Sequence, residues 1–322
     1  MAEPIHCLPV PTPFAVGRVN CYLVEDDPLT LVDTGPNSGT ALTALEAALA
    51  EHGRRVEDLQ RIVLTHQHID HIGLAQILAD RSGAEVCSLA ALAPWLARYG
   101  PSMEDDDRFA EAVMARHGIP EDIRYALRAV TGQFRAWGGR ADVSVLLEEG
   151  DTLAFAEREW TVHHRPGHSP SDTVFHDAAS GELVGGDHLI AKISSNPLVS
   201  RPLDGSTAQR PQALRIYLDS LAATREMDLT RVWPGHGEPI ADHAELIDER
   251  ARLHARRAEK LCRLITEQPR SAYELAQAMW GNVAVTQAYL TLSEVLGHTD
   301  LLLNEGRVRE VEHDEVVRFE PA

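Results

Sequence analysis

Four side chains able to bind a metal fall within six residues of this chain: His66, His68, Asp70 and His71, in the run Thr65-His66-Gln67-His68-Ile69-Asp70-His71. Neutral imidazoles and carboxylates at this density suit a borderline divalent metal such as zinc. Arg61 to Leu64 before the run is a short apolar strand pattern, and Ile72 to Leu78 after it has helical spacing, so the donors lie on a strand-to-helix loop. One loop cannot close a single site with all four. Along an extended segment alternate residues point the same way, so His66 and His68 can share one metal while Asp70 and His71, past the bend, face a second.

Three further donors stand in equivalent places, each after a strand pattern and beside glycine: His168 in Pro166-Gly167-His168-Ser169, Asp187 in Gly185-Gly186-Asp187-His188, and His236 in Pro234-Gly235-His236-Gly237. Glycine permits tight turns and close backbone approach, which lets a short side chain reach a metal from a strand end. Together with the first cluster they make seven donors.

The surrounding pattern alternates strands and helices and predicts an α/β layered core. Strands are expected at Val19–Val24, Leu29–Asp33, Leu153–Phe155, Trp160–His164, Thr173–His176 and Arg231–Trp233, with helices at Ala41–His52 and Gln209–Thr224. Residues 89 to 140, carrying Trp95, Tyr99, Phe109, Phe134 and Trp137, form a helical insertion or lid, and those aromatics either roof a substrate pocket or pack the insertion itself. Past His243 helices are expected at Leu246–Thr266, Ser271–Met279 and Val283–Leu296, followed by a β-hairpin of Leu301–Leu303 and Val308–Phe319 around Asn304-Glu305-Gly306. The expected domains are 1–243 and 244–322.

The ordered motifs, with Asp33-Thr34-Gly35 ahead of them, resemble the metallo-β-lactamase-fold hydrolase superfamily over about residues 5 to 243. That resemblance implies an αββα sandwich with two metal ions at one edge of the sheets. Position by position it implies that His66, His68 and His168 hold the first metal, that Asp70, His71 and His236 hold the second, and that Asp187 bridges them. Asp33 supports the ligands without binding metal. The tail resembles the winged-helix extension of the glyoxalase II-like and lactamase-B2-like branch. Two cations sharing a hydroxide lower the pKa of water and polarise a carbonyl or phosphoryl oxygen, so hydrolysis is the expected reaction. Asp70 is a ligand and is also a candidate proton acceptor. The two metals are expected to be zinc, with iron and manganese suited to the same donors.

Composition narrows the substrate. The chain carries 30 basic and 49 acidic residues, a formal −19, a field that repels polyanions and disfavours nucleic acid and membrane surfaces. Residues 244–322 hold ten Arg and Lys against fourteen Asp and Glu, a net of 10 − 14 = −4, which favours a structural or homodimerising wing over one that reads nucleic acid. No apolar run reaches roughly 18 residues, and the N-terminus lacks a basic and apolar leader, so a cytoplasmic protein is expected. The expected substrate is a small ester, thioester or lactone; the alternative is metal-dependent endoribonuclease or phosphodiesterase activity. His188, Lys192 and Asn196, after the bridging aspartate, are candidates to meet a substrate carboxylate, phosphate or oxyanion.

Overall fold

The structure is a computed structural model that describes residues 5–207 and 209–322. The chain divides into two compact units, the first made of residues up to Met103, Phe134–Ser195 and Glu226–His243. It contains two sheets. The first orders six strands β1 (Ile5–Val10), β2 (Val19–Val24), β3 (Thr30–Val32), β4 (Arg61–Val63), β5 (Glu85–Leu89) and β6 (Val145–Leu147) in sequence. The second orders β11 (Arg231–Pro234), β10 (Glu182–Gly186), β9 (Thr173–Asp177), β8 (Glu159–His164) and β7 (Thr152–Ala154). β3, β4 and β5 run parallel because the helices α1 (Gly39–Glu51) and α3 (Ala75–Ser82) return the chain between them.

Side-chain alternation explains the layering. Tyr22, Val32, Val63, Cys87 and Leu147 on one sheet form a single core with Leu153, Trp160, Val162, Phe175 and Val184 on the other. The alternate residues Leu31, Ile62 and Val86 are also buried, so this sheet is covered on its other face too, where α1 packs on β1 and α3 on β5. This is the αββα arrangement expected from the motifs.

The second unit comprises Glu104–Gln133, Asn196–Arg225 and Ala244–Ala322, and is larger than the expected 244–322 tail. The expected insertion is divided between the units. α5 (Tyr99–Arg116) places Phe109, Val113 and Met114 in one core with Leu261 and Ile265 of α8 (His243–Glu267), Leu275 of α9 (Ala272–Trp280), and Leu292, Val295 and Leu296 of α11 (Ala288–Asn304). α6 (Glu121–Phe134) and the short α10 (Val283–Thr286) complete its helices together with α7 (Ala213–Arg225). α7 begins later than expected because Pro211 biases the residue before it away from helix. A three-stranded antiparallel sheet orders β12 (Arg270–Ser271), β14 (Val316–Pro321) and β13 (Val308–His313).

Two boundaries in the tail differ from expectation. Leu301–Leu303 continue α11 rather than opening a strand, since buried Val295, Thr299 and Leu302 keep one helical face inward. The hairpin turns instead at Asp314 and Glu315, both with positive φ. β1 had no strand signal, because Pro9 interrupts it. Among the described residues no helix is long and apolar enough to cross a membrane.

Candidate metal centre

All seven expected donors lie in the first unit, at strand ends. β4 ends at Val63, and His68 is still extended when α2 (Ile69–Ile72) begins, so His66 and His68 precede the helix while Asp70 and His71 ride on its single turn. His168 follows β8, Asp187 follows β10 and His236 follows β11. Single donor atoms of His66, His68 and His168 lie within 4.8 Å of one another, and the same holds for Asp70, His71 and His236. A third overlapping group joins His66, His71 and Asp187.

The carboxylate of Asp187 faces donors from both triads. Its Oδ2 lies 3.5 Å from Nε2 of His168 and 3.5 Å from Nε2 of His236, while its Oδ1 lies 3.6 Å from Nε2 of His71. Nδ1 of His68 and Nε2 of His168 stand 2.9 Å apart. Nitrogens about 2.0–2.1 Å from one tetrahedral ion would be about 3.3 Å apart, so small adjustments convert this contact into shared ligation.

Hydrogen bonds behind the cluster decide which nitrogen of each ring carries the proton. Asp33 ends β3 with φ of 56°, a left-handed conformation rare for a non-glycine residue. That turn lets its carboxylate accept from the Thr65 amide at 2.9 Å, the Thr65 hydroxyl at 2.8 Å and His71 Nδ1 at 2.7 Å. With its proton given to Asp33, the Thr65 hydroxyl accepts from His66 Nδ1 at 3.0 Å. His236 Nδ1 donates to the Arg18 carbonyl at 2.7 Å. In His66, His71 and His236 Nε2 is therefore the nitrogen turned toward the cluster.

These atoms fit a metal. Nε2 of His66, Nε2 of His71 and Oδ1 of Asp187 are buried without a hydrogen-bond partner, and each such orphan costs about 1–3 kcal/mol. Metal ligation of these atoms would remove those costs. Charge favours the same conclusion. Burial, aided by neighbouring imidazoles, pushes His66 well below its usual range and His68 down to about 3, keeping both in the neutral, ligating form. Burial also opposes protonation of His71, but the carboxylates of Asp33, Asp187 and Asp70 outweigh it and hold that ring well above its usual range. His236 is raised by Asp187 and Asp70 against the same penalty. Burial would raise Asp70 and Asp187, yet His71 and His236 draw both down. The Asp70, His71 and His236 side thus sits in a strongly negative field.

A fourth buried group, His254, Glu294 and His298 in the second unit, has metal-binding residue types but the opposite field. Arg257 bonds the Glu294 carboxylate, and Arg257 and Arg250 join burial in lowering His254 to about 3. We read it as a polar rung between α8 and α11.

Two supporting residues, Asn20 and Tyr22, had no signal in the sequence. Asn20 and Tyr22 of β2 bond the loop that carries His236. Ser169 caps its own turn, its amide and hydroxyl both donating to Asp172 at 2.8 and 2.7 Å, which braces His168. Gly235 leaves space that a Cβ would fill, 2.2 Å from Asp187 Oδ1 and 2.8 Å from His71 Cε1.

The expected substrate residues separate. His188 is fully buried, and burial with Arg165 lowers it to about 3. Asn196 belongs to the second unit and donates to the Leu290 carbonyl at 3.1 Å. Lys192 is exposed. The aromatics of the insertion pack locally: Tyr99 donates to the Arg135 carbonyl and meets Trp95 edge-on, Phe134 meets Phe14, and Phe109 lies in the core of the second unit.

A two-sheet sandwich with clustered histidine and aspartate donors at its strand ends defines a metallo-hydrolase fold. The family model of the metallo-beta-lactamase superfamily matches residues 15–236, and the chain belongs to that superfamily. It is 35% identical over 300 residues to the "Probable metallo-hydrolase YqjP" of Bacillus subtilis, covering 93% of this chain and 92% of that one. It is 28% identical over 206 residues to a hydroxyacylglutathione hydrolase of Thermosynechococcus vestitus, covering 62% of this chain and 60% of the other. Among solved structures, a metallo-beta-lactamase family protein from Thermus thermophilus superposes with a TM-score of 0.83 at 27% identity, covering 99% of this chain and 98% of that one.

Proposed function

We propose that the chain is a dinuclear, zinc-loaded hydrolase that cleaves a small thioester, ester or lactone. The observation that carries this reading is Asp187, whose Oδ2 lies 3.5 Å from both His168 of one triad and His236 of the other, while its Oδ1 faces His71. His66, His68 and His168 would hold one ion, Asp70, His71 and His236 the other, and Asp187 both. Metal ions held by these residues would supply Lewis acidity, lowering the pKa of a bound water and polarising a carbonyl.

The chain's own residues do the rest. Asp33 keeps a proton on His71 Nδ1, and the Arg18 carbonyl does the same for His236, so a cation need only displace the Nε2 proton and neither ring has to turn. Asp70 is held ionised by His71 and His236, which suits a ligand better than a proton acceptor. Lys192, exposed five residues beyond Asp187, is available to an anionic group on the substrate. The thioester preference is supported by similarity to relatives named as hydrolases of an acylated thiol, and the small-molecule class by the −19 charge. The helices and three-stranded sheet of the tail we assign to a winged helix that mediates self-association; light scattering in solution tests that assignment, and a monomer at all concentrations refutes it.

Elemental analysis of the purified chain, paired with a panel of thioesters, lactones and phosphodiesters before and after chelation, tests the function. Two zinc per chain with chelator-sensitive acyl cleavage is the expected result. One metal per chain, or cleavage of phosphodiesters alone, overturns it.

A further inference from the structure

We infer that Asn20 and Tyr22 are positioning residues for the second metal position, acting through His236; the inference rests on the two-metal reading above. His236 stands on the loop Pro234–Gly237, and three of that loop's four carbonyls are taken by β2. The Asn20 amide donates to the Gly235 carbonyl at 2.7 Å. Asn20 Nδ2 donates to the Pro234 carbonyl at 3.0 Å and the Gly237 carbonyl at 2.8 Å, and also lies 3.3 Å from the Tyr22 hydroxyl. The Tyr22 hydroxyl adds a second bond to the Pro234 carbonyl at 2.5 Å. The imidazole itself is tied by Nδ1 to the Arg18 carbonyl, two residues before Asn20. Residues 18–22 therefore hold both the backbone and the ring of a ligand more than 200 positions away.

Both clamp side chains are almost fully buried, Asn20 at 4% and Tyr22 at 2% exposure, so water does not replace lost bonds at no cost. From the opposite side the Gly235 amide donates to the Gly186 carbonyl at 2.7 Å, next to Asp187. The loop is thus locked between β2 and β10. The first triad is held by other means: His66 through Thr65 and Asp33, and His168 through the Ser169–Asp172 turn. Loosening β2's hold should weaken one metal position and spare the other.

The test is a zinc titration of the metal-free full chain against a competing chelator, for wild type, Asn20→Ala/Tyr22→Phe and His236→Ala, with circular dichroism reporting folding. Removing partners that orient a ligand costs about 10–100-fold in metal affinity. One zinc equivalent is expected to weaken by that factor in the double variant while the other keeps its affinity, the same pattern as His236→Ala. Two equivalents of wild-type affinity in the double variant, or equal weakening of both, overturns the inference. Should the double variant not fold, Tyr22→Phe alone, which deletes one hydroxyl, carries the test: selective weakening of one equivalent supports the clamp and none refutes it. A wild-type chain that binds a single zinc refutes the two-metal reading itself, a result distinct from two equivalents that ignore the clamp.

Discussion

Gly235→Ala isolates the geometry of the centre, because the substitution adds one methyl group and removes no donor. An alanine Cβ at this position would lie 2.2 Å from Asp187 Oδ1, 2.8 Å from His71 Cε1 and 3.1 Å from the Gly186 carbonyl carbon. Reaching even a 3.0 Å separation requires the carboxylate oxygen and the methyl group to part by 3.0 − 2.2 = 0.8 Å. Zinc–oxygen bonds are about 2.0–2.2 Å long, so a displacement of that size would take Asp187 out of reach of an ion at this site. The imidazole of His71 is crowded at the same time. Overpacking of this kind costs about 1–3 kcal/mol of stability, so the variant should fold, melt a few degrees lower and carry less metal. The assay is metal stoichiometry after dialysis at fixed free zinc, alongside thermal unfolding. Gly83→Ala is the matched control. Gly83 ends α3 with φ of 75° and open space around its would-be Cβ, so alanine there should cost about 1–2 kcal/mol of backbone strain and leave metal binding unchanged. A Gly235→Ala chain with wild-type metal content would refute the steric argument and with it the placement of Asp187.

Asp33→Asn should keep the fold, since asparagine tolerates the left-handed conformation, but should lower metal affinity about 10–100-fold by weakening the hold on His71 and Thr65; a metal titration decides it. Acid sensitivity of the second unit should trace in part to His117, buried against Phe319, whose pKa is lowered to about 3 by burial, Arg210 and Arg116. Because the unfolded chain takes up this proton near pH 6.5 and the folded chain does not, its contribution is complete above pH 6.5 and is lost as the pH falls toward 3. Between pH 6.5 and 5 that amounts to about 2 kcal/mol at 1.36 kcal/mol per pH unit. Urea unfolding at pH 7 and pH 5 should show a shallower loss for His117→Gln, and an unchanged difference would refute it.

The chemistry of the centre was legible in the chain because it depends on residue type and short spacing. Four donors in six residues after an apolar strand, and three more beside glycines at strand ends, already specify the ligand types. The tail was legible to the extent that its periods are local: α8 and α9 follow from helical spacing, whereas the hairpin, expected around Asn304-Glu305-Gly306, turns at Asp314 and Glu315. The error at Leu301–Leu303 has the same origin, since three leucines in a row carry no period, and only the burial of Val295, Thr299 and Leu302 on one face makes them helical.

What the sequence by itself determined is the set of donors, their order and the strand ends that carry them, because local pattern and turn chemistry act over a few residues. Tertiary structure alone decided three further matters. It brought Asp33, His168, Asp187 and His236 to the 66–71 loop, and it turned Nε2 of His66, His71 and His236 toward the cluster through Thr65, Asp33 and the Arg18 carbonyl. It also put part of α5 into the core of the second unit. Each of these rests on contacts between residues far apart in the chain, and a hydrogen bond or a packed side chain leaves no periodic trace in the residues that lie between its ends.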